Sequence, residues 1–263
     1  MKLKSVHRPA VSSDHIREMK DVKHLLQVWT KIALNVRLRD RSVKIIQYGC
    51  QMLIGYYGHK MNDELVGGLR NTRRICSTAR KAFWLLKSIN HIGTMNVMLE
   101  KGLMKRPLAE KFDFLEQIFL VFYYLFENQI FLSRCQLFNF REEELDLWCN
   151  ISWFAGDVAL FFSVGLKLNS NLTELKRIRE KAQIENSTET QTELREIEAR
   201  NEDLRLSFAI AVLELGVSMH YIYIWRKLRG EAGCIRDGNV GLMGVASSML
   251  IIYEGYRNAA RTL

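Results

Sequence analysis

Four long apolar segments organise this sequence and restrict its fold more than any other feature. The segments span residues 112–132, 145–168, 204–225 and 238–253. Only two prolines occur, Pro9 and Pro107, and neither interrupts an apolar segment. Because proline breaks helices and about 20 apolar residues cross a bilayer, the pattern predicts long helices near membrane-spanning length. The predicted fold is all-α: a helical membrane protein with N-terminal amphipathic helices, apolar helical hairpins and a C-terminal Gly/Ser-rich membrane helix.

Charged residues inside these segments leave other interpretations open. The first segment contains three acids, and the second carries Asp157 near its middle. A central aspartate costs about 3 kcal/mol on membrane-insertion scales. The first two segments are therefore core helices of a soluble protein, interfacial helices, or spans whose acids face a protein partner. The last segment has no charge over 16 residues and is either an anchor or a buried helix crossing.

The last segment also carries small residues near one surface of the predicted helix. They are Gly241, Gly244, Ser247 and Ser248. Small side chains let helix backbones approach each other closely. We therefore predict that these four residues pack against another helix.

A basic stretch at residues 65–92, LVGGLRNTRRICSTARKAFWLLKSINHI, carries its charges on one side of a predicted helix. Six cations fall inside an arc of roughly 140° at 100° per residue. They are Arg70, Arg73, Arg74, Arg80, Lys81 and Lys87. Such a helix either packs its apolar side on a protein core or lies in a membrane interface with its cations toward anionic headgroups. We predict lipid binding by these cations and by Phe83, which lies on the apolar side.

Composition divides the chain into five regions. They are a flexible polar N-terminus (1–24), a basic amphipathic helical region (25–106), apolar and aromatic helices (107–168), a polar charged connector (169–203) and C-terminal membrane helices (204–263). The connector is predicted to be partly helical or disordered, because its apolar positions are sparse. In the second region, Asp40 interrupts the apolar stripe and is predicted to cap the next helix.

Positive charge is concentrated in the first part of the chain. Residues 1–110 contain 21 Lys and Arg against 8 Asp and Glu, whereas residues 111–263 contain 17 against 21. A basic half points to a polyanion, either an anionic lipid surface or nucleic acid. A soluble helical nucleic-acid binder is the less favoured interpretation, because interleaved aromatic residues and a groove-reading motif are absent.

The sequence contains no catalytic or metal-binding pattern. A phosphate-binding loop, a dinucleotide-binding glycine pattern, an HExxH motif and a nucleophile elbow are all missing. The five cysteines and six histidines show no zinc-ligand spacing. We therefore predict a protein that is not an enzyme, with no catalytic residues, no metal site and no cofactor.

Three blocks of the sequence resemble the peroxin-eleven family. Residues 39–53, RDRSVKIIQYGCQML, are similar to the family's helix with the pattern RDK…YG/S. Residues 79–87, ARKAFWLLK, are similar to its aRKxFRxxK block, although Trp84 stands where many members have arginine. Residues 240–253, VGLMGVASSMLIIY, are similar to its C-terminal VGLxGxxSSxxxxY segment and come closest to the gamma branch.

The resemblance implies a protein of the peroxisomal membrane, or of a related organelle such as a glycosome, with much of its N-terminal half facing the cytosol. It implies that the basic helix inserts shallowly, remodels and elongates the membrane, and promotes peroxisome division and proliferation. The implied partners are an anionic phospholipid membrane, further copies of the chain, a fission receptor and a dynamin-related GTPase, with no nucleic acid. The alternative is a solute pore, in which Glu127, Asp157 and Glu214 would line a channel.

Overall fold

The computed structural model describes residues 27, 29–31, 34–185, 187–222 and 235–261. The main helices are α1 (Val36–Tyr57), α2 (Asp63–Phe83), α3 (Lys87–Glu100), α4 (Leu108–Arg134), α5 (Glu142–Ile184), α6 (Thr188–Tyr221) and α7 (Asp237–Arg261). Single 3-10 turns follow α1 and α3, at Gly58–Lys60 and Leu103–Lys105. No strand occurs in the described ranges, and the predicted all-α fold is confirmed. The predicted flexible region 1–24 lies outside the described residues.

Helix α1 begins at a side-chain cap and continues through the position where a break was predicted. The Asn35 side chain accepts hydrogen bonds from the backbone N–H groups of Arg37, at 2.9 Å, and Leu38, at 3.3 Å. These bonds satisfy donors that the first helical turn leaves without a partner. The prediction that Asp40 caps a second helix is therefore wrong. Asp40 lies inside α1, and its carboxylate accepts a hydrogen bond from Arg80 of α2.

The basic stretch forms two helices rather than one. Helix α2 ends at Phe83, α3 begins at Lys87, and a three-residue turn separates them. Leu86 in this turn has a φ of +60°, a left-handed conformation that costs a non-glycine residue roughly 1–2 kcal/mol. The Lys87 ammonium lies 3.6 Å from the centroid of the Trp84 ring and donates a 2.8 Å hydrogen bond to the hydroxyl of Tyr124. These contacts with α4 help to offset the strain of the turn.

The polar connector at residues 169–203 is helical on both sides of a tight turn. It forms the C-terminal part of α5 (169–184) and the N-terminal part of α6 (188–203), which pack together as a hairpin. The sparse apolar residues Leu175, Ile178 and Ile197 are buried between the two helices. Asn171, Thr190 and Asn201 are also buried, and most of the charged residues are exposed, which explains the high charge of a segment that still packs.

Helix α7 packs closely on α1 through its glycines. A Cβ atom at Gly241 would overlap the backbone of Met52, and one at Gly244 would overlap the ring of Tyr48. Because backbone atoms cannot move aside, this crossing requires residues without a side chain. In the rest of the bundle α4 packs on α5, α2 on α1, α3 on α4, and α6 on α7.

Helices α5 and α6 are long and apolar enough to cross a membrane, judged by length and composition among the described residues. Only 33% of the most apolar stretch of each helix is buried inside the bundle. The buried positions of the bundle include many polar side chains, whereas many large apolar side chains are exposed. Buried polar side chains that are about as numerous as the buried apolar ones, together with exposed large apolar side chains, are unusual for a water-soluble protein, which rarely exposes large contiguous apolar patches.

Glu116 on α4 makes stability depend on pH. Burial, with a smaller contribution from Asp113, raises the pKa of Glu116 to about 7. Between pH 4.5 and 7 the folded chain binds a proton that the unfolded chain has lost, so this group's contribution to stability falls as pH rises. We expect Glu116→Gln to match the wild type near pH 4.5 and to be about 1–3 kcal/mol more stable at pH 8.

Thermal unfolding of both proteins in neutral detergent across this pH range measures the difference. Glu100→Gln removes a carboxylate at an exposed position of α3 and controls for the loss of one charge. An equal pH slope for the wild type and Glu116→Gln would contradict the assignment.

Candidate membrane-contacting face and basic cavity

The apolar side of α2 and α3 leaves several large apolar side chains exposed. We call this surface the outer apolar face. Its members are Leu65, Ile75, Phe83, Leu86, Ile89 and Ile92. Ile75 and Ile89 are each 60% exposed, which is unusual for isoleucine. The structure thus shows which of the two sides of the amphipathic stretch packs on protein: the charged side.

The charged side of α2 contacts α1. The Arg80 guanidinium donates from Nε to Asp40 Oδ1 at 2.8 Å and from a terminal nitrogen to Gln47 Oε1 at 2.9 Å. Asp40 is only 2% exposed, so its charge depends on this arginine. Burial is the largest single influence and opposes the charge of Arg80, but Asp40, Tyr123 and Tyr48 together outweigh it and raise the pKa of Arg80 above its ordinary value. The pair fixes α2 to α1 with its cations inward.

Two further cations of α2 reach other helices. Lys81 is buried and forms an ion pair with Glu127 of α4. Arg73 donates a 3.3 Å hydrogen bond to the hydroxyl of Tyr221, at the end of α6. These two residues join the basic helix to α4 and α6, and with Arg80 the helix is tied to three elements of the bundle.

A second buried ionic cluster joins α1 to α6. Lys44 Nζ lies 2.7 and 2.6 Å from the two carboxylate oxygens of Glu214, and Arg41 donates to the same carboxylate at 2.8 Å. Burial lowers the pKa of Lys44 to about 8, against the opposing attraction of Glu214. Two cations and one carboxylate are therefore held together where little water reaches them.

These ionic contacts border a cavity of about 440 Å³, which we call the basic cavity. Its charged lining residues are Lys44, Arg70, Arg73, Arg74, Arg80, Lys81, Arg134, Glu127 and Asp146. Its other lining residues include Tyr48, Ser77, Tyr123, Trp153 and Tyr221. The lining comes from α1, α2, α4, α5 and α6, so the cavity lies within the bundle rather than on one helix.

The structure thus divides the residues predicted to bind lipid. Arg70, Arg73, Arg74, Arg80 and Lys81 line the basic cavity, Lys87 contacts Trp84 and Tyr124, and Phe83 belongs to the outer apolar face. Lipid binding by these residues stays a prediction. The partners that hold the cations, Asp40 and Gln47 for Arg80 and Glu214 for Lys44, were not predicted from the sequence. A signal was present, because Asp40, Lys44, Gln47 and Gln51 recur at helical spacing and form a polar stripe.

The small residues of α7 lie inside the chain's own bundle. Gly241 and Gly244 are buried against α1, and Ser247 and Ser248 are also buried. The hydroxyls of both serines donate to the carbonyl of Gly244, at 3.2 and 2.7 Å. These bonds satisfy the serines within α7, so the helix presents little polar surface to α1. Self-association through α7 stays a prediction.

The three acids proposed to line a channel are in different surroundings. Glu127 lines the basic cavity, Glu214 is paired with Lys44 and Arg41, and Asp157 is buried in α5. A solute pore stays a prediction.

The described residues include no group of three or more His, Cys, Asp or Glu side chains that could hold a metal ion.

Two helices long and apolar enough to span a bilayer, together with many exposed large apolar side chains, indicate the class of the protein, a helical membrane protein. Residues 26–255, most of the chain, match the model of the family described as Peroxisomal biogenesis factor 11 (PEX11). The chain belongs to this family, which confirms the resemblance. The assignment to the gamma branch stays a prediction.

One curated relative is the Peroxisomal membrane protein 11 homolog of Dictyostelium discoideum. It is 27% identical over 154 residues, which cover 58% of this chain and 58% of the relative. The matched part thus spans little more than half the length of the relative. No solved structure matches the chain. The family and this relative support the predicted role in peroxisome biogenesis at the peroxisomal membrane.

Proposed function

We propose that the protein remodels and elongates the peroxisomal membrane and thereby promotes peroxisome division and proliferation, without a catalytic step. The observation that carries this proposal is the outer apolar face of α2 and α3. Moving an isoleucine, leucine or phenylalanine side chain from water into an apolar environment is worth about 1.5–3 kcal/mol. Six such side chains on α2, α3 and the turn between them therefore favour insertion into the acyl-chain region of a membrane.

Insertion of this face from one side bends the membrane. Helices that enter only one leaflet increase its area relative to the other, and the membrane curves toward the side of entry. We place the N-terminal half on the cytosolic side, so that tubules grow outward from the organelle. The turn at Leu86 separates α2 from α3, and the two helices therefore wedge apart a wider patch of lipid than one helix would.

The proposal includes protein partners that the family resemblance supports. They are further copies of the chain, a fission receptor and a dynamin-related GTPase. Elongated membrane is the substrate that constricting GTPases need, so elongation and recruitment act in sequence. Nucleic acid is not among the proposed partners, because all five α2 cations in the predicted lipid-binding set line the basic cavity, and three of them (Arg73, Arg80 and Lys81) also make intramolecular contacts.

Charge on the outer apolar face should abolish elongation. We expect the double substitution Ile75→Asp/Ile89→Asp to prevent tubule formation, because each aspartate raises the free-energy cost of membrane insertion by up to about 3 kcal/mol. Both side chains are mostly exposed, so the fold should persist. Peroxisome length in cells and tubule formation on anionic liposomes, followed by electron microscopy, are the measurements.

The matched control is Ile184→Asp at the end of α5. Ile184 is 85% exposed but lies next to the charged turn of the hairpin, away from the outer apolar face. This variant should elongate peroxisomes like the wild type. Normal tubules from the double variant would contradict the proposed mechanism.

A further inference from the structure

The basic cavity holds more positive charge than its own acids balance. Four of its seven cations have a carboxylate partner: Arg80 with Asp40, Lys44 with Glu214, Lys81 with Glu127, and Arg134 with Glu142. Arg70, Arg73 and Arg74 make no ion pair with a described residue. Of the two carboxylates in the lining, Glu127 is already paired, and Asp146 accepts a hydrogen bond from Asn150. Three arginines are left facing a cavity with surplus charge.

The geometry of these arginines suits a phosphate group. Arg70, Arg73 and Arg74 are spaced i, i+3 and i+4 on α2, so their side chains leave the same side of the helix. A guanidinium carries a planar fork of donors that matches two phosphate oxygens. The hydroxyl of Ser77, one turn further along, also lines the cavity and supplies a neutral donor.

The size and walls of the cavity indicate what carries the phosphate. About 440 Å³ falls in the range of small-molecule sites and admits a phosphorylated ring, but not the acyl chains of a lipid. The aromatic side chains of Tyr123 and Trp153 form part of the wall. An organic phosphate would thus find cations on one side and flat apolar surface on the other.

We propose that the basic cavity is a binding site for an organic phosphate anion, gripped by Arg70, Arg73 and Arg74. The ligand is either the phosphorylated headgroup of a membrane lipid or a soluble phosphate ester. The site does not depend on membrane elongation, because it is formed inside the bundle and not on the outer apolar face. Binding would tie α2 more firmly to α4, α5 and α6.

Two binding measurements on the full chain test the proposal and distinguish a lipid headgroup from a soluble phosphate ester. In neutral detergent, inositol trisphosphate and glucose phosphate are titrated by calorimetry. In nanodiscs, the thermal stability of the chain is compared between phosphatidylcholine alone and phosphatidylcholine with phosphatidylinositol phosphate. A lipid headgroup predicts stabilisation in the phosphoinositide nanodiscs and binding of inositol trisphosphate only. A soluble ester predicts binding of glucose phosphate in detergent, with no added stabilisation by the phosphoinositide.

Substitutions at the exposed end of the cavity give the decisive comparison. Arg70→Gln/Arg74→Gln should weaken at least tenfold the binding of whichever phosphate compound the wild type binds. The unfolding temperature of the free protein should stay unchanged, since neither arginine holds an ion pair with a described residue. The control, Arg177→Gln/Arg195→Gln, removes the same charge from exposed positions of the α5–α6 hairpin. It should bind like the wild type.

Either of two results would overturn the site. One is the absence of binding by the wild type in both measurements. The other is an equal loss of affinity in the two double variants, which would mean that affinity depends on the net charge of the protein and not on Arg70 and Arg74.

Discussion

Glu214→Ala is expected to lower the free energy of unfolding by about 3–5 kcal/mol, a large loss for a single substitution. The Glu214 carboxylate accepts hydrogen bonds from Lys44 and Arg41 in the interior of the bundle. Removing it leaves two cations close together without a counter-charge. Lys44 must then lose its proton, attract water or move outward, whereas Arg41 keeps its charge and must attract water or move outward. Water entry or outward movement weakens the contact between α1 and α6.

Unfolding in neutral detergent, followed by circular dichroism, measures this loss. The control is Glu198→Ala. Glu198 lies on α6, like Glu214, but its carboxylate forms an exposed ion pair with Arg179 of α5. Exposed pairs contribute about 0–1 kcal/mol, so the control should unfold close to the wild type. Similar losses for both variants would mean that Glu214 is solvated and that the ionic cluster is not closed to water.

The second large effect is expected at Gly241, where α7 crosses α1. Gly241→Ala places a methyl group onto the backbone of Met52 and the carbonyl of Tyr48, and neither can move without bending α1. Overpacking of this kind costs about 1–3 kcal/mol. Since α1 also carries Asp40 and Lys44, a shift of this helix should loosen the ionic contacts as well.

The same substitution at Gly49 should act in the opposite direction. Gly49 lies in α1 with nothing within 4 Å of an added Cβ. Alanine is favoured over glycine inside a helix by about 1 kcal/mol, so Gly49→Ala should be as stable as the wild type or more stable. Unfolding temperatures of the two variants in the same detergent compare them. Destabilisation by both would show that glycine matters here for flexibility and not for close approach.

Helix content and family were predictable from the sequence, but the orientation of the helices was not. Hydrophobic periodicity showed that the basic stretch has two different sides. It did not show which side packs on protein, because that depends on residues far away in the chain. Asp40 and Glu127 supply carboxylates for Arg80 and Lys81, and these partners meet only after folding.

The turn between α2 and α3 was missed for a local reason. Residues 84–86 contain no glycine or proline, the residues that usually mark the end of a helix. The chain nevertheless adopts a left-handed conformation at Leu86, where contacts of Lys87 with Trp84 and Tyr124 help to hold it. Strain that is offset by contacts from another helix leaves no trace in short-range sequence patterns.

An exterior rich in exposed apolar side chains also constrains how the newly made protein reaches its destination. In aqueous cytoplasm, isoleucine, leucine and phenylalanine on α2 and α3 would attach to the same surface on other copies, and the chains would precipitate. We therefore expect delivery to the organelle to need a factor that covers these side chains until lipid takes the place of that factor. Ribosome-released protein should accumulate as aggregates in cells where such an escort is removed.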